Sequence, residues 1–384
     1  AGGSGEQTAA ADSRQNEAGS STEAAPKTET AVTASHSWSN MSPVSSMDLL
    51  YADQFSVDDY ENDISLITIG DTDQFLLLPE GMSAPVGLPD SIKILQKPVK
   101  NIYLVATSAM DDFIHLDALD LIALSGTKDT GWYLPEAKTA MEEGKIAYAG
   151  KYSAPDYEKI LSSDCGLAVE STMIYHTPEV KEKLESFNIP VIVDRSSYES
   201  EPLGRTEWVK FYAALMDKEK QAQDIFEKQV AEFESISNSD DNKDRPTVAF
   251  FYVSSNGTIK VRKAEDYLPK MIEMAGGEYV FNDLGKGDKN VSSTVTLQME
   301  EFYLTAKDAD YIIYNSTVDG ELNSVDDLVA KNELFSNFKA VKEGKVYGTS
   351  ANLYQSSMEL GTIIKDMNKM LSDEDDMTYL YKLK

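Results

Sequence analysis

The sequence predicts an α/β protein built as two α/β lobes with mostly parallel sheets, joined by one long backbone helix. Three observations predict it. Between residues 90 and 203, short apolar runs alternate with helical stretches, the pattern of strands buried on both faces of a sheet. The alternation starts afresh after residue 246. Between the two blocks, helical periodicity runs from 205 to 234 with no strand signal.

The elements follow in order. Residues 1–35 are Ala, Ser, Thr, Glu and Gly without a hydrophobic period, a tether by composition. Strands are expected over 65–70, 75–79 and 92–95. No helices separate these, so they read as an antiparallel extension on the first-lobe sheet. Strands over 102–106, 121–124, 146–149, 167–169 and 190–194 then alternate with helices over 109–119, 135–143, 155–162 and 178–187. Pro202 and Gly204 open the central helix, and Trp208, Phe211, Leu215, Ala222, Ile225, Val230 and Phe233 fall on one stripe. A helix of that length spans roughly 45 Å. The second lobe has strands over 247–253, 278–281, 311–314 and 346–347, and helices over 266–275, 298–306, 324–331 and 356–371. The expected division is a tether over 1–35, a first lobe over 36–203, the connecting helix over 204–237 and a second lobe over 238–384.

Composition narrows the partners. The chain has 384 residues, with 35 Lys plus Arg against 65 Asp plus Glu and a formal charge of −30. Such a surface repels phosphate backbones, which argues against nucleic acid. The single cysteine, Cys165, precedes an apolar run and reads as a small buried hydrophobe. One cysteine excludes a disulfide framework and cysteine-rich metal sites. No G-x-x-x-x-G-K-[ST] loop, H-E-x-x-H or, after residue 35, G-x-S-x-G elbow is present. A two-lobed α/β enzyme and a surface interaction protein stand as the rivals to a binding protein, because fold alone does not fix function.

Several stretches together carry a resemblance. KNIYLVATSAM (100–110) opens the first lobe, and EPLGRTEW (201–208) is followed by KEKQAQDIFEKQ (218–229). MIEMAGGEYVF (271–281) lies in the second lobe, and GKVYGTSANLYQSSMELGTIIKDMNKML (344–371) ends it. In order and spacing, over about 90–372, the chain resembles the substrate-binding proteins of ABC importers that carry ferric siderophores, haem and corrinoids. The resemblance implies a monomeric, extracytoplasmic lipoprotein, tethered through a lipid-modified cysteine ahead of the 1–35 segment. It would capture an iron complex (siderophore or haem), or alternatively a corrinoid such as cobalamin, and deliver it to a membrane permease without catalysis. It also implies one permease-docking glutamate per lobe. The matching positions are Glu179 in HTPEVKEKL and Glu273 in MIEMAGG, with Glu265 as the neighbouring alternative.

Ligand contacts are expected on loops at the carboxyl ends of the strands. In the first lobe these are 107–110 with Met110, 127–133 with Trp132 and Tyr133, 151–153 with Tyr152, and 170–176 with Met173, Tyr175 and His176. In the second they are 254–256, 315–317 with Asn315, and 349–354 with Tyr354. Arg262, Lys128 and Lys151 would complement an anionic complex. The aromatic faces suit a flat or chelate ligand. Three histidines, His36, His115 and His176, are too few for a bare-metal site, so no metal ligands and no resident cofactor are expected. His115, mid-helix, is expected to pack or be solvated.

Overall fold

The computed structural model describes residues 36–236, 244–288 and 292–384. The expected tether over 1–35 lies outside the described residues.

The chain first forms a five-stranded sheet in sequence order: β1 (Ser45–Ser46), β2 (Phe55–Asp59), β3 (Ser65–Ile69), β4 (Asp73–Leu78) and β5 (Ile92–Gln96). Its pairs are antiparallel except β4–β5, which is parallel. The expectation of an extension on the first-lobe sheet is thus corrected: this is a separate sheet. The reason is that both its faces are apolar, with the period of two that strands impose. Phe55, Val57, Ile67, Ile69, Phe75 and Leu77 join the main first-lobe core. Leu66, Leu76, Leu78 and Ile92 form a second small core with Trp38, Met41 and Tyr60.

The first-lobe sheet is wholly parallel. Strands β6 (Ile102–Leu104), β7 (Ile122–Ser125), β8 (Ala147–Tyr148), β9 (Leu167–Ser171) and β10 (Val191–Asp194) lie in the order β10-β9-β6-β7-β8. Helices α1 (Thr107–His115), α2 (Pro135–Glu142), α3 (Tyr157–Ser162) and α4 (Pro178–Ser186) alternate with them. The order reverses direction between β6 and β9, so the crevice outside the carboxyl ends of those two strands is where such sheets take ligands.

The central segment differs from one straight strut. It consists of α5 (Pro202–Glu207), α6 (Val209–Ala214) and α7 (Glu219–Glu234). Trp208 keeps helical angles between the first two. The break comes at Asp217, whose φ of 56° ends a right-handed helix and suits an aspartate. Lys97 pairs with the Asp217 carboxylate at 2.8 Å, and the Lys218 ammonium donates to the Leu116 carbonyl at the end of α1. The chain then reverses, and α7 returns along α5 and α6 toward the second lobe. At about 1.5 Å per residue, its 16 residues span about 24 Å. Pro202–Ala214 is buried almost throughout, because Phe55 of the added sheet stacks edgewise on Trp208 and Phe211.

The second lobe holds α8 (Tyr267–Met274), α9 (Met299–Ala306), α10 (Val325–Lys331), α11 (Lys339–Lys342) and α12 (Leu360–Leu371) around a mixed sheet. Its strands are β11 (Thr247–Val253), β12 (Ile259–Arg262), β13 (Glu278–Tyr279), β14 (Thr294–Leu297), β15 (Tyr311–Tyr314), β16 (Val346–Thr349) and β17 (Leu380–Lys382). The order is β14-β12-β11-β15-β16-β17, with β13 beside the start of β11. β11, β15 and β16 are parallel; the β11–β12, β12–β14 and β16–β17 pairs are antiparallel. Helix α7 locks onto α12 through Gly361. A Cβ at that position would collide with the Gln229 carbonyl, while the Gln229 side chain accepts from Thr362 N at 3.0 Å.

Candidate functional site

The site grows from the carboxyl end of β10. Asp194 closes the strand, fully buried, and accepts from Ser196 N at 2.8 Å and from the Tyr212 hydroxyl. Burial raises its pKa. This anchor fixes the tight turn Ser196–Tyr198, which turns Arg195 and Tyr198 away from the core. The Arg195 guanidinium lies 4.8 Å over the Tyr198 ring and donates to the Tyr175 hydroxyl at 3.3 Å.

Arg205, on α5, carries the constellation between lobes. It donates to the Ser197 carbonyl at 2.9 Å, and its guanidinium lies 3.7 Å over the ring of Tyr267 in the second lobe. Its buried Nε has no hydrogen-bond partner among the described residues. Tyr267 meets Tyr354 at 6.4 Å between centroids, and Arg262 lies 4.9 Å over Tyr354. Arg262 forms a bidentate pair with Asp266 at 2.9 and 3.0 Å. The Asn315 amide lies 3.5 Å from the Tyr354 hydroxyl, and its carbonyl oxygen is held by Thr317. Burial raises the pKa of the Tyr267 and Tyr354 phenols, so both remain neutral donors. These contacts make two runs, Tyr175–Arg195–Tyr198 in the first lobe and Arg205–Tyr267–Tyr354–Arg262 across the lobes, joined into one chain through the Ser197 carbonyl that accepts from Arg205. Neither Arg195 nor Arg205 forms an ion pair with a carboxylate among the described residues. Two guanidinium groups stacked on tyrosines without a direct carboxylate pair among the described residues, though Arg205 feels the charge of the buried Asp194, suit an anionic, partly aromatic ligand in a chain of charge −30.

A second link lies beyond β7. Gln355 of the second lobe accepts from Tyr133 N at 2.8 Å and donates to the Gly131 carbonyl at 2.9 Å. Deeper still, Ser357 donates to the Ser108 carbonyl and Met358 N donates to Asp111, tying the second lobe to α1.

Of the expected ligand contacts, Tyr175, Arg262, Asn315 and Tyr354 are brought together in the chain described. Tyr133, Met173 and His176 are exposed on neighbouring loops. Two expectations are corrected. Met110 is wholly buried among the core residues of α1, and Trp132 is 1 % exposed with its indole donating to Ser125 Oγ at 3.2 Å. Both pack under the sheet because large apolar groups beside a strand end close the core more cheaply than they remain wet. Tyr152 is half-buried against the apolar layer around Tyr103 and Ala149. Glu179 is exposed in the first turn of α4, and Glu273 is exposed in the last turn of α8, where its carbonyl accepts from Arg245. Sequence reasoning missed Arg195, Arg205, Tyr198 and Tyr267. A signal was present: the chain has only five arginines (Arg14, Arg195, Arg205, Arg245 and Arg262), and three of them meet here. Among the described residues, no three His, Cys, Asp or Glu side chains are arranged to hold a metal ion, and no helix is long and apolar enough to cross a membrane.

Comparison with known proteins agrees with this architecture. An uncharacterized lipoprotein of Methanocaldococcus jannaschii is 28% identical over 299 residues, covering 75% of this chain and 68% of its own length. A second lipoprotein of that organism is 28% identical over 349 residues, covering 87% of this chain and 86% of its own. Among solved structures, the petrobactin-binding protein YclQ of Bacillus subtilis superposes with a TM-score of 0.57 at 17% identity, over 72% of this chain and 93% of that one. The periplasmic heme-binding protein HutB of Vibrio cholerae gives 0.53 at 14% identity, over 69% and 97%. At those identities the likeness is one of fold. The profile of the periplasmic binding protein family matches residues 105–353, from the end of β6 to the loop after β16. The chain is a member of the periplasmic binding protein family, with an additional sheet ahead of its first lobe.

Proposed function

We propose that this protein captures an anionic iron chelate, a siderophore or haem, between its lobes and presents it to a membrane permease of the ABC class. The observation that carries the ligand reading is the pair Arg195 and Arg205, stacked on tyrosines of both lobes and without a direct ion pair to a carboxylate among the described residues. An Arg guanidinium stacked and half-desolvated binds a catecholate or propionate oxygen with a charge-assisted bond. The relatives named as lipoproteins support tethering at the extracytoplasmic face. Nothing in the constellation offers a nucleophile beside a base, which favours binding over chemistry.

The test is a titration of the purified protein with haem, a ferric tris-catecholate and a neutral ferric tris-hydroxamate, followed by absorbance and intrinsic fluorescence. Saturable binding of an anionic probe is expected. Arg205→Gln should weaken it by about 10- to 100-fold, the worth of one charge-assisted contact. Unchanged affinity in that variant would sink the role of the arginines. Delivery is tested separately. Charge reversal of the exposed Glu179 and Glu273 should abolish uptake in cells and leave affinity intact, because docking residues on two lobes steer the complex without touching the ligand.

A further inference from the structure

We infer that the added sheet is part of the recognition machinery: through Gln54 and Gly70 it sets the guanidinium of Arg195 just beyond the carboxyl end of β10. The inference rests on the anionic-ligand reading above and names residues outside the family-matched region, which begins at residue 105.

Gln54 stands just ahead of β2, and Gly70 just after β3. They are joined by a bond from Gly70 N to the Gln54 carbonyl at 2.8 Å. The Gln54 side-chain oxygen accepts from Arg195 Nε at 3.3 Å. A Cβ on Gly70 would lie 3.2, 3.2 and 3.3 Å from Cζ, Nε and Nη1 of Arg195. Near-equal distances to three atoms put Gly70 against the plane of the guanidinium, not its edge. Its φ of +61° is a second reason for glycine. Gln54 is itself held from the first lobe. Its N–H and that of Asp53 donate to the buried Glu199 carboxylate at 3.1 and 2.8 Å, and Glu199 also accepts from the Trp208 indole. The sheet therefore docks onto the same 195–199 turn that carries Arg195. Among the described residues, the side-chain hydrogen-bond acceptors of Arg195, the Gln54 amide oxygen and the Tyr175 hydroxyl, are both neutral. Arg195 is thus oriented without being neutralised, in contrast to Arg262, whose charge is matched by Asp266. A neutral positioning group leaves the whole charge for a ligand anion. Gln54 and Gly70 are positioning residues, acting through Arg195.

The experiment uses the full chain in four variants: Arg195→Gln, Gln54→Ala, Gln54→Glu and Gly70→Ala. Affinity is measured for the ferric tris-catecholate and the neutral ferric tris-hydroxamate, and the arginine Nε–H resonances are followed by NMR. With five arginines, Arg195→Gln assigns its own signal by its disappearance. Gln54→Glu places a carboxylate against Arg195. It should keep or raise the melting temperature, weaken the anionic probe about tenfold and leave the neutral one unchanged. Gln54→Ala and Gly70→Ala should shift the Arg195 resonance and leave those of the other arginines in place. If that resonance does not move in either variant, the positioning role is wrong. If it moves while a wild type that binds the anionic probe keeps its affinity in Gln54→Glu, the sheet does not contribute to recognition. A wild type that binds neither probe overturns the anionic-ligand reading and the ligand half of this inference with it, and the resonance then decides the positioning alone.

Discussion

Glu170 is a single side chain whose surroundings set a measurable pH dependence. It sits on β9, fully buried, on the face that packs against α3 and α4, and neither carboxyl oxygen has a hydrogen-bond partner among the described residues. Burial pushes its pKa from 4.5 up to about 8. The folded state therefore favours the neutral acid, and unfolding releases a proton once the pH exceeds 4.5. Its effect on stability is small below that value, becomes increasingly unfavourable as pH rises and levels off above about 8, at a cost reaching about 3 kcal/mol near neutrality. Glu170→Gln removes the titration and keeps the shape. Urea denaturation at pH 5, 7 and 8.5 should show the variant losing less stability than wild type, by about 2–3 kcal/mol between pH 5 and 7 and about 4 kcal/mol over the whole range. Parallel pH profiles would mean that the carboxyl is solvated. Asp112, Asp194 and Glu199 are also raised by burial and shape the common profile, so the difference between the two proteins isolates Glu170.

At the scale of elements, the strap ahead of β2 and the α5–α6 segment form one device. Glu207, fully buried, accepts from Leu50 N at 2.7 Å, Tyr51 N at 2.7 Å and Ala52 N at 2.8 Å, and from the Lys210 ammonium at 2.6 Å. Glu207→Ala leaves three backbone donors without their acceptor and the buried Lys210 ammonium with only the Asp48 carbonyl. It should cost about 3–5 kcal/mol, read by denaturation, and should open the segment around 48–54 to proteolysis before the lobes unfold. An unchanged proteolysis pattern would mean that apolar packing of Phe55 alone holds the strap. This device also explains what the sequence left hidden. The alternation of strands and helices made both lobes legible, since period and turn residues are local. The break at Asp217 was not, because MDKEK continues a good helical pattern and only the bonds of Lys97 and Lys218 to distant groups favour the reversal. The stripe from Trp208 to Phe211 read as one face of a strut because the sheet that covers it lies far away in sequence. In the site, loops at strand ends identified Tyr175, Asn315 and Tyr354. Arg195 and Arg205 escaped notice because one follows a strand and the other lies in a short helix, and the groups that place them, Gln54 and Tyr175 for Arg195 and the Tyr267 ring for Arg205, are distant in sequence.

For the whole molecule, the question is how freely the two lobes move. They meet through more than the returning helix α7. Met358 N donates to Asp111 at 2.9 Å, Thr206 donates to the Ser357 carbonyl at 2.9 Å, and Lys270 pairs with Glu201 at 2.9 Å. His115 lies in this seam. Its Nδ1 lies 3.2 Å from Asp111 on its own helix, and its Nε2 lies 3.6 Å from Glu359 of the second lobe. Burial lowers its pKa, but the bonds to Asp111 and Glu359 outweigh burial and raise it to about 11. The same bond holds the Glu359 carboxyl below its usual range, and Tyr379 also donates to Glu359. The neighbouring Asp112 is pushed well up by burial and by Asp194 and Asp111. His115 is thus a cation clamped between carboxylates of both lobes. A histidine raised in the folded state stabilises most below its unfolded pKa of 6.5, and that gain declines until the folded pKa of about 11 is passed. The wild type should therefore lose melting temperature between pH 7 and 10 more steeply than His115→Gln, with the largest difference at the acidic end. Small-angle scattering should show the wild type at pH 7 with nearly the same radius of gyration with and without ligand, because a clamped seam permits only small rocking. A wide ligand-driven closure at pH 7 would show that this seam opens, and the clamp would then be one state of a switch.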